Sequence, residues 1–250
     1  MLSLLVCVPG TTLDRWLEQT LAPRAQLTRT DPGSLVGALA DHAHAGAIIL
    51  LNRAVLEVWT DVRQHLIQFC TPTIILAPLS AEALHALAFE RELRLVALHV
   101  TGFEDSPADL SSSLERLLKD GLLRRFLARF GASAAQLESL ILPCWNSLAA
   151  IPSLESWAAV LRRKPEWLTR QLRQCGVRNP RRLLTWLRLL SAWPMLHAGR
   201  AAGQVSLAVA YSAPPAFTRS TRQFVGIPPS SASNVPMESM IDCAATDLIA

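Results

Sequence analysis

The chain has 250 residues, half of them hydrophobic, which is enough for two ordinary domains and excludes a disordered protein. No run of residues approaches the roughly 18 consecutive apolar positions that a membrane-spanning helix needs. The five cysteines are scattered and odd in number, a usage typical of a reducing compartment, so we expect a cytoplasmic protein.

The net charge of +4 is distributed unevenly along the chain. Residues 1–150 carry 12 Lys and Arg against 15 Asp and Glu, residues 151–230 carry 12 against 2, and residues 231–250 carry none against 3. A basic run by itself is usually a solvated face. Together with a DNA-binding motif, it favours contact with nucleic acid.

Apolar strands and amphipathic helices alternate through the first 120 residues. The apolar runs predict strands at residues 2–8, 25–30, 47–51, 73–76 and 95–100, and the helical periodicity predicts helices at residues 13–21, 34–42, 55–67 and 81–92. This alternation indicates an α/β fold with a parallel sheet covered on both faces. We expect the flavodoxin-like strand order 2-1-3-4-5, with any site at the carboxyl ends of the strands.

This layout resembles the receiver domain of two-component response regulators. Receivers carry an acidic pair after the first strand, a phosphorylated Asp after the third, a Thr or Ser after the fourth and a Lys after the fifth. Here the first strand ends without an acid, the third ends at Asn52, and the fifth offers His99 and Thr101 but no lysine. The resemblance therefore implies a degenerate receiver without aspartyl phosphorylation, which serves dimerisation or partner contacts or answers to an unnamed signal.

A long helical segment is predicted from Leu110 to about Trp145. It carries one apolar stripe, formed by Leu114, Leu117, Leu118, Leu122, Leu123, Phe126, Leu127 and Phe130. One interpretation is a last receiver helix that packs on its own sheet. The other is a helix that also supplies a dimer seam.

The segment from Pro152 to Pro229 predicts two helix-turn-helix units joined by an amphipathic helix at residues 181–197. In the first unit Ser153 can cap a short helix, and Pro165 suits the first position of a second helix. That second helix presents polar side chains at i, i+3, i+4 and i+7 opposite its apolar face. With the preceding basic turn, the DNA-binding candidates of this unit are Arg162, Arg163, Lys164, Glu166, Thr169, Arg170 and Arg173. In the major groove, Arg pairs with guanine and Thr can meet bases or phosphates.

The second unit repeats the arrangement. Pro214 begins its second helix, with Phe217 and Phe224 inward, and the outward candidates for DNA binding are Pro215, Ala216, Arg219 and Arg222. We expect Pro194 to kink the joining helix.

The run YSAPPAFTRSTRQFVGIPPS resembles the C-terminal signature of the AraC/XylS transcription regulators. The matching positions are Tyr211, Phe217, Arg219, Phe224, Gly226 and Pro229, and in the first unit Ala158, Leu161, Leu168, Arg170 and Leu172. The chain departs from the family at Arg162 and Ala210, where the family favours glycine, and at Lys164 and Ala213, where a capping Ser or Asp is typical. The resemblance implies an all-α double helix-turn-helix domain that binds double-stranded DNA.

We therefore expect four parts: a receiver-like domain at residues 1–120, a helical linker at 121–150, an AraC-type DNA-binding domain at 151–230 and a flexible acidic tail at 231–250. The chain has no Walker loop, GxGxxG, GxSxG or HExxH motif, and we expect no enzyme activity, catalytic residue, cofactor or metal. His42 and His44 are better explained as a solvated helix end than as a metal site.

Two functions remain open. The first is a sequence-specific regulator of transcription, expected to be a homodimer. The second is a protein-interaction adaptor or antagonist of a related regulator, with weak or no DNA binding, whose partner would bind through the N-terminal domain. The four tryptophans Trp157, Trp167, Trp186 and Trp193 could form a surface for single strands, but helical core packing explains them better.

Overall fold

The computed structural model describes residues 2–8, 12–21, 25–41, 44–69, 71–78, 80–87, 96–100 and 107–249. The chain divides into two compact units, Met1–Gly121 and Leu122–Ala250. The boundary falls inside a long helix, so residues 122–150 are part of the C-terminal unit.

The N-terminal unit is built on a five-stranded parallel sheet. Its strands are β1 (Leu2–Cys7), β2 (Ala25–Arg29), β3 (Gly46–Leu50), β4 (Thr73–Ala77) and β5 (Val96–Val100). They lie in the order β2-β1-β3-β4-β5, which confirms the predicted flavodoxin-like order. Every residue of β3 and β4 is buried because central parallel strands are covered on both faces.

Helices lie between the strands of this unit, and a long helix follows the last strand. They are α1 (Thr12–Leu21), α2 (Leu35–Ala40), α3 (Arg53–Glu57), α4 (Trp59–Phe69), α5 (Ala81–Leu87) and α6 (Pro107–Ala128). The single helix predicted at residues 55–67 is in fact two helices, α3 and α4, because Val58 leaves the helical conformation with φ −105° and ψ 7°. The part of the predicted helix after residue 87 lies outside the described residues.

The helix α6 packs against the start of two strands. A Cβ at Gly121 would lie 2.5 Å from Cγ of Pro72, and Leu118 lies beside Gly46, so only glycine permits this close approach at position 121. All eight side chains of the predicted apolar stripe are buried. The stripe is therefore packed within the chain itself, which favours the interpretation of a last receiver helix over that of a helix that also supplies a dimer seam.

The C-terminal unit is all-helical after the end of α6. Its helices are α7 (Ala134–Trp145), α8 (Leu154–Val160), α9 (Pro165–Gln174), α10 (Pro180–His197), α11 (Ala202–Ala208), α12 (Pro214–Val225) and α13 (Met237–Leu248). The helix α10 contacts α8, α9, α11, α12 and α13. Trp157, Trp186 and Trp193 are buried, so three of the four tryptophans serve core packing as expected.

Pro194 lies in the last turn of α10, and the helix continues through it to His197. Proline lacks an amide N–H and therefore removes one backbone hydrogen bond of the helix. The kink predicted at Pro194 would therefore affect only the last turn of α10 and not the longer part of the helix before it.

The structure describes a packed helix within residues 231–250, where the sequence predicts a flexible acidic tail. Residues 237–248 form α13, whose apolar positions recur at helical spacing and bury Met240, Ile241, Ala244 and Leu248. The end of the chain is also held by backbone pairing, since the amide N–H of Arg178 donates to the carbonyl of Leu248 over 2.9 Å. The Ser/Pro-rich lead-in and the acidic composition concealed this periodicity.

Both helix-turn-helix turns contain a non-glycine residue in the left-handed region. Arg162, after α8, has φ 53°, and Ala210, after α11, has φ 64°. Each stands where the resembled family favours glycine. An L-residue in this conformation costs about 1–2 kcal/mol, because its Cβ approaches the neighbouring backbone. The chain therefore keeps the turn geometry at a cost in stability.

We expect Ile241→Ala to lower the free energy of unfolding of the C-terminal unit by about 2–4 kcal/mol, because it opens a cavity under α13. Ser239→Ala, on the exposed side of the same helix, is the matched control. Urea unfolding followed by tryptophan fluorescence measures both. Equal stabilities of the two variants would show that α13 is not packed.

We expect Ala210→Gly to raise the free energy of unfolding by about 1 kcal/mol, because glycine adopts positive φ without strain. Ala208→Gly, at the end of α11, should change stability in the opposite direction, since it only adds backbone freedom within a helix. Thermal unfolding of the two variants checks this. A loss of stability in both would mean that Ala210 is not strained.

Candidate nucleic-acid interface

The helix α9 has a buried apolar side and an exposed polar side. Leu168 and Leu172 are completely buried, while Glu166, Arg170 and Arg173 are exposed and Thr169 is half-buried. Pro165 stands at the first helical position, and Lys164 before it makes no side-chain capping bond. The polar face predicted for this helix is thus directed to solvent along its whole length.

The first helix of this unit is better capped. Ser153 and Ser156 form a reciprocal capping box: the amide N–H of Ser156 donates to Oγ of Ser153, and the amide N–H of Ser153 donates to Oγ of Ser156. Such a cap contributes about 1 kcal/mol. The indole N–H of Trp157 donates to the carbonyl of Leu140 over 3.0 Å, which fixes α8 against α7.

An open groove of about 830 Å³ runs along the polar face of α9. Besides the predicted residues of α9, it is lined by residues that sequence reasoning missed: Leu154, Glu155, Gln174, Asn179, Pro180 and Arg181. Asn179 caps α10 by accepting hydrogen bonds from the amide N–H groups of Arg181 and Arg182. The Asn-Pro pair at the start of α10 could have predicted these residues, because it marks the first turn of that helix, which lies beside α9.

The basic turn between α8 and α9 forms a second, smaller hollow with Trp167. The guanidinium of Arg163 lies over the indole ring, 5.3 Å from its centroid, and Arg162, Lys164 and Ala159 complete the hollow. A cation–π contact of this kind holds the guanidinium in place without neutralising its charge. Trp167 therefore orients the basic turn and is not a core residue.

The second unit presents a smaller polar face. In α12, Phe217 and Thr221 are completely buried, and the Thr221 hydroxyl donates to the Phe217 carbonyl over 2.6 Å. The outward residues Pro215, Arg219 and Arg222 are exposed and Ala216 is half-buried. Ala213, which precedes the helix, makes no capping bond.

Aromatic contacts attach α12 to α10. The ring of Phe224 lies edge-on to Trp186, with 5.4 Å between centroids, and under the guanidinium of Arg182 at 4.8 Å. Such pairs add about 0.5–1.5 kcal/mol beyond the buried area. They fix the orientation of the second unit on the joining helix.

The acids of α13 neutralise arginines away from these two faces. Asp247 pairs with Arg182 over 2.6 Å and accepts the indole N–H of Trp186 over 2.7 Å. Glu238 and Asp242 pair with two arginines near the end of α6, Arg125 and Arg129.

The arginines of α9, of α12 and of the basic turn have a different environment. In the part of the chain that the structure describes, none of Arg162, Arg163, Arg170, Arg173, Arg219 and Arg222 forms an ion pair with a carboxylate. Arg188 of α10 is instead a structural residue, which donates to the carbonyl of Ile151 over 2.6 Å. Burial lowers the pKa of its guanidinium. The two exposed helix faces and the turn before α9 thus carry six arginines whose positive charge is not compensated by an ion pair among the described residues.

The N-terminal residues considered for chemistry have structural roles. The carboxamide of Asn52 caps α3 by accepting the amide N–H of Val55 over 2.9 Å, and His99 is buried. His44 shares a 2.9 Å hydrogen bond with Ser3, whereas His42 and Thr101 lie outside the described residues. Among the residues that the structure describes, no group of three or more His, Cys, Asp or Glu side chains is placed to hold a metal ion.

Cys7 is packed in the interior as expected. Burial, and to a smaller extent the nearby charge of Asp31, raises the pKa of its thiol to about 11. A thiol with such a pKa is protonated at neutral pH and is a poor nucleophile. Cys70, for which we expect the same packing, is not among the described residues.

Within the described ranges, no helix is both long enough and apolar enough to cross a membrane.

Residues 157–234 match a family model described as a helix-turn-helix domain. The matched range begins inside α8, includes α9 to α12 and ends with the short 3-10 turn Pro229–Asn234. No curated protein and no solved structure matches the chain, and the family match does not extend into the N-terminal unit. The C-terminal unit therefore contains a helix-turn-helix domain, in agreement with the resemblance to the AraC/XylS regulators.

Proposed function

We propose that this protein is a sequence-specific regulator of transcription, which inserts α9 and α12 into the major groove of duplex DNA. One observation carries the proposal. The exposed arginines of both second helices lack carboxylate partners among the described residues, whereas Arg125, Arg129 and Arg182 are neutralised by α13. Phosphate-facing surfaces need free positive charge, since binding releases the counterions condensed on DNA.

The dimensions of α9 suit the major groove. An α-helix with its side chains is about 10–12 Å across, and the groove is about 12 Å wide. The exposed face from Glu166 to Arg173 extends about 10 Å along the helix axis. In the helix-turn-helix arrangement, the second helix lies in the groove with its N-terminal residues at the base edges. We assign base and phosphate contacts to Thr169, Arg170 and Arg173, and phosphate contacts to the basic turn Arg162-Arg163-Lys164.

The second unit has a lesser share in the proposal. Its outward face carries two charges, Arg219 and Arg222, together with Pro215 and Ala216. The helix α9 and the basic turn before it together carry five basic residues. We infer that α9 supplies most of the affinity and that α12 extends the recognised sequence.

The N-terminal unit is proposed to act by contact and not by catalysis. Its flavodoxin-like sheet has Asn52 where a receiver carries the phosphorylated aspartate, and that amide is used to cap α3. We infer a degenerate receiver that binds a protein partner or a second copy of this chain. Among the described residues, the thiols of Cys7, Cys144, Cys175 and Cys243 are free, which agrees with a cytoplasmic location.

The alternative function is an adaptor or antagonist of a related regulator. It is favoured by the strained Arg162 and Ala210 in the two turns and by the uncapped starts of α9 and α12. It is opposed by the unpaired arginines on both faces. The dependence of binding on salt separates the two functions, because DNA binding weakens steeply with ionic strength and apolar protein contacts do not.

We expect the full-length protein to bind random-sequence duplex DNA at low salt, with an association constant that falls steeply as salt is raised. Fluorescence-anisotropy titration at two salt concentrations measures this. Absence of binding at low salt would contradict the proposal and make the adaptor the leading function.

We expect Arg170→Ala to weaken binding to a selected specific site by about 1–3 kcal/mol, the range of one good base contact. Arg15→Ala removes the same charge at an exposed position of α1, which is distant from α9 in the sequence, and should leave the affinity for DNA unchanged. If Arg170→Ala and Arg15→Ala bind the selected duplex equally, α9 is not the recognition helix.

We expect the protein to form a homodimer in solution, through a surface other than the buried stripe of α6. Sedimentation equilibrium of the full chain over a range of concentrations measures the mass. A single monomeric species at every concentration would remove homodimerisation from the proposal.

A further inference from the structure

The segment 151–230 contains only two acidic residues, Glu155 and Glu166, and both line the groove along α9. Each is the second residue of its helix, Glu155 in α8 and Glu166 in α9. A carboxylate at this position interacts favourably with the helix dipole. That contribution is the same for both residues, so it does not explain any difference between them.

The two carboxylates differ in their partners. A hydrogen bond to the side chain of Ser153 and the positive charge of Arg181 help to lower the pKa of the Glu155 carboxyl. Within the described part of the chain, Glu166 has no hydrogen-bond or ion-pair partner. Its carboxylate is therefore free to accept hydrogen bonds from a molecule in the groove.

An unpaired carboxylate on a phosphate-facing surface opposes DNA binding, because it repels the phosphates. It improves recognition only where a base offers it an amino group. In the major groove, cytosine presents the N4 amino group as a donor, whereas guanine and thymine present O6 and O4, which would repel a carboxylate. Adenine also presents an amino group, N6, but its neighbouring acceptor N7 would repel the second carboxylate oxygen, so cytosine suits a carboxylate best. Glu166 is exposed, lies in the first turn of the second helix and shares its face with Arg170. The N-terminal residues of the second helix are the ones that contact base edges in this arrangement.

Resting on the proposed function, we propose that Glu166 is a specificity-determining residue that selects a cytosine in the bound DNA. The distance from Glu166 to Arg170 along the helix axis is about 6 Å, which is less than two base-pair steps of about 3.4 Å. The carboxylate accepts the N4 amino group of cytosine, and Arg170 donates to O6 and N7 of a guanine within two base pairs. Glu155 belongs to the first helix, which crosses the DNA backbone in this arrangement, and selects no base.

The test is selection of binding sites from a random duplex library by the full-length wild type, Glu166→Gln and Glu155→Gln. The wild type is expected to select a cytosine that, when replaced, lowers affinity about tenfold, within the range of one base contact. Glu166→Gln is expected to shift that one position towards adenine, because a carboxamide pairs with N6 and N7 of adenine.

Glu155→Gln is the matched control, since it removes the same charge from the same groove and the same helix position. It should select the same sequence as the wild type. Both variants should bind random-sequence duplex about twofold more tightly than the wild type, because each removes one charge that repels phosphate through water.

An unchanged preference at every position in Glu166→Gln overturns the inference while leaving the proposed function intact. A preference that weakens equally at all positions, with a lower melting temperature of the variant, also overturns it, because that pattern means a structural role in α9. If none of the three proteins binds duplex DNA at low salt, the proposed function itself fails, and the inference fails with it.

Discussion

The C-terminal unit depends on the burial of α10. Thirteen of its 18 residues are buried, including Trp186 and Trp193, and the helix contacts α8, α9, α11, α12 and α13. Burying a large apolar side chain contributes about 1.5–3 kcal/mol, so this single helix supplies much of the common core. Because both helix-turn-helix units pack on the same rigid element, the exposed faces of α9 and α12 have a defined relation to each other.

The position of α13 determines which positive charges remain free. Its apolar side fills the core beside α10, and its acids pair with Arg125, Arg129 and Arg182. These are partly exposed ion pairs, and each contributes little to stability. Their larger effect is on the distribution of charge, because they neutralise arginines near the end of α6 and in α10 and leave the arginines of α9 and α12 without a carboxylate partner among the described residues.

The turns show how far this chain departs from the family that it resembles. Arg162 and Ala210 adopt the left-handed conformation that glycine would adopt without strain. The turn geometry is therefore retained, and the departure reduces the stability of the fold. Arginine at position 162 also adds a positive charge to the basic turn before α9, to which the proposed function assigns phosphate contacts.

Sequence periodicity was sufficient to predict most of the helices and strands and the strand order of the sheet. Alternating apolar runs and amphipathic helices leave few ways to cover a parallel sheet on both faces, and the order β2-β1-β3-β4-β5 followed from them. The outward faces of α9 and α12 could also be predicted from the sequence, because a period of 3.6 residues assigns each position to one side of a helix. Motif spacing was enough to identify the helix-turn-helix domain, which the family match confirms.

Only the tertiary structure decided how distant segments combine. The periodicity of α13 was present in the sequence, but its partners on α6 and α10 lie far away along the chain, so an acidic, Ser/Pro-rich end could be taken for a mobile tail. The stripe of α6 was visible as apolar, yet no local pattern states whether its own chain or a second copy covers it. The groove beside α9 likewise joins Glu155, Glu166 and Arg181 from three helices. The physical reason is the same in each case: a helical period specifies which side chains need burial or share a face, and long-range packing specifies what they meet.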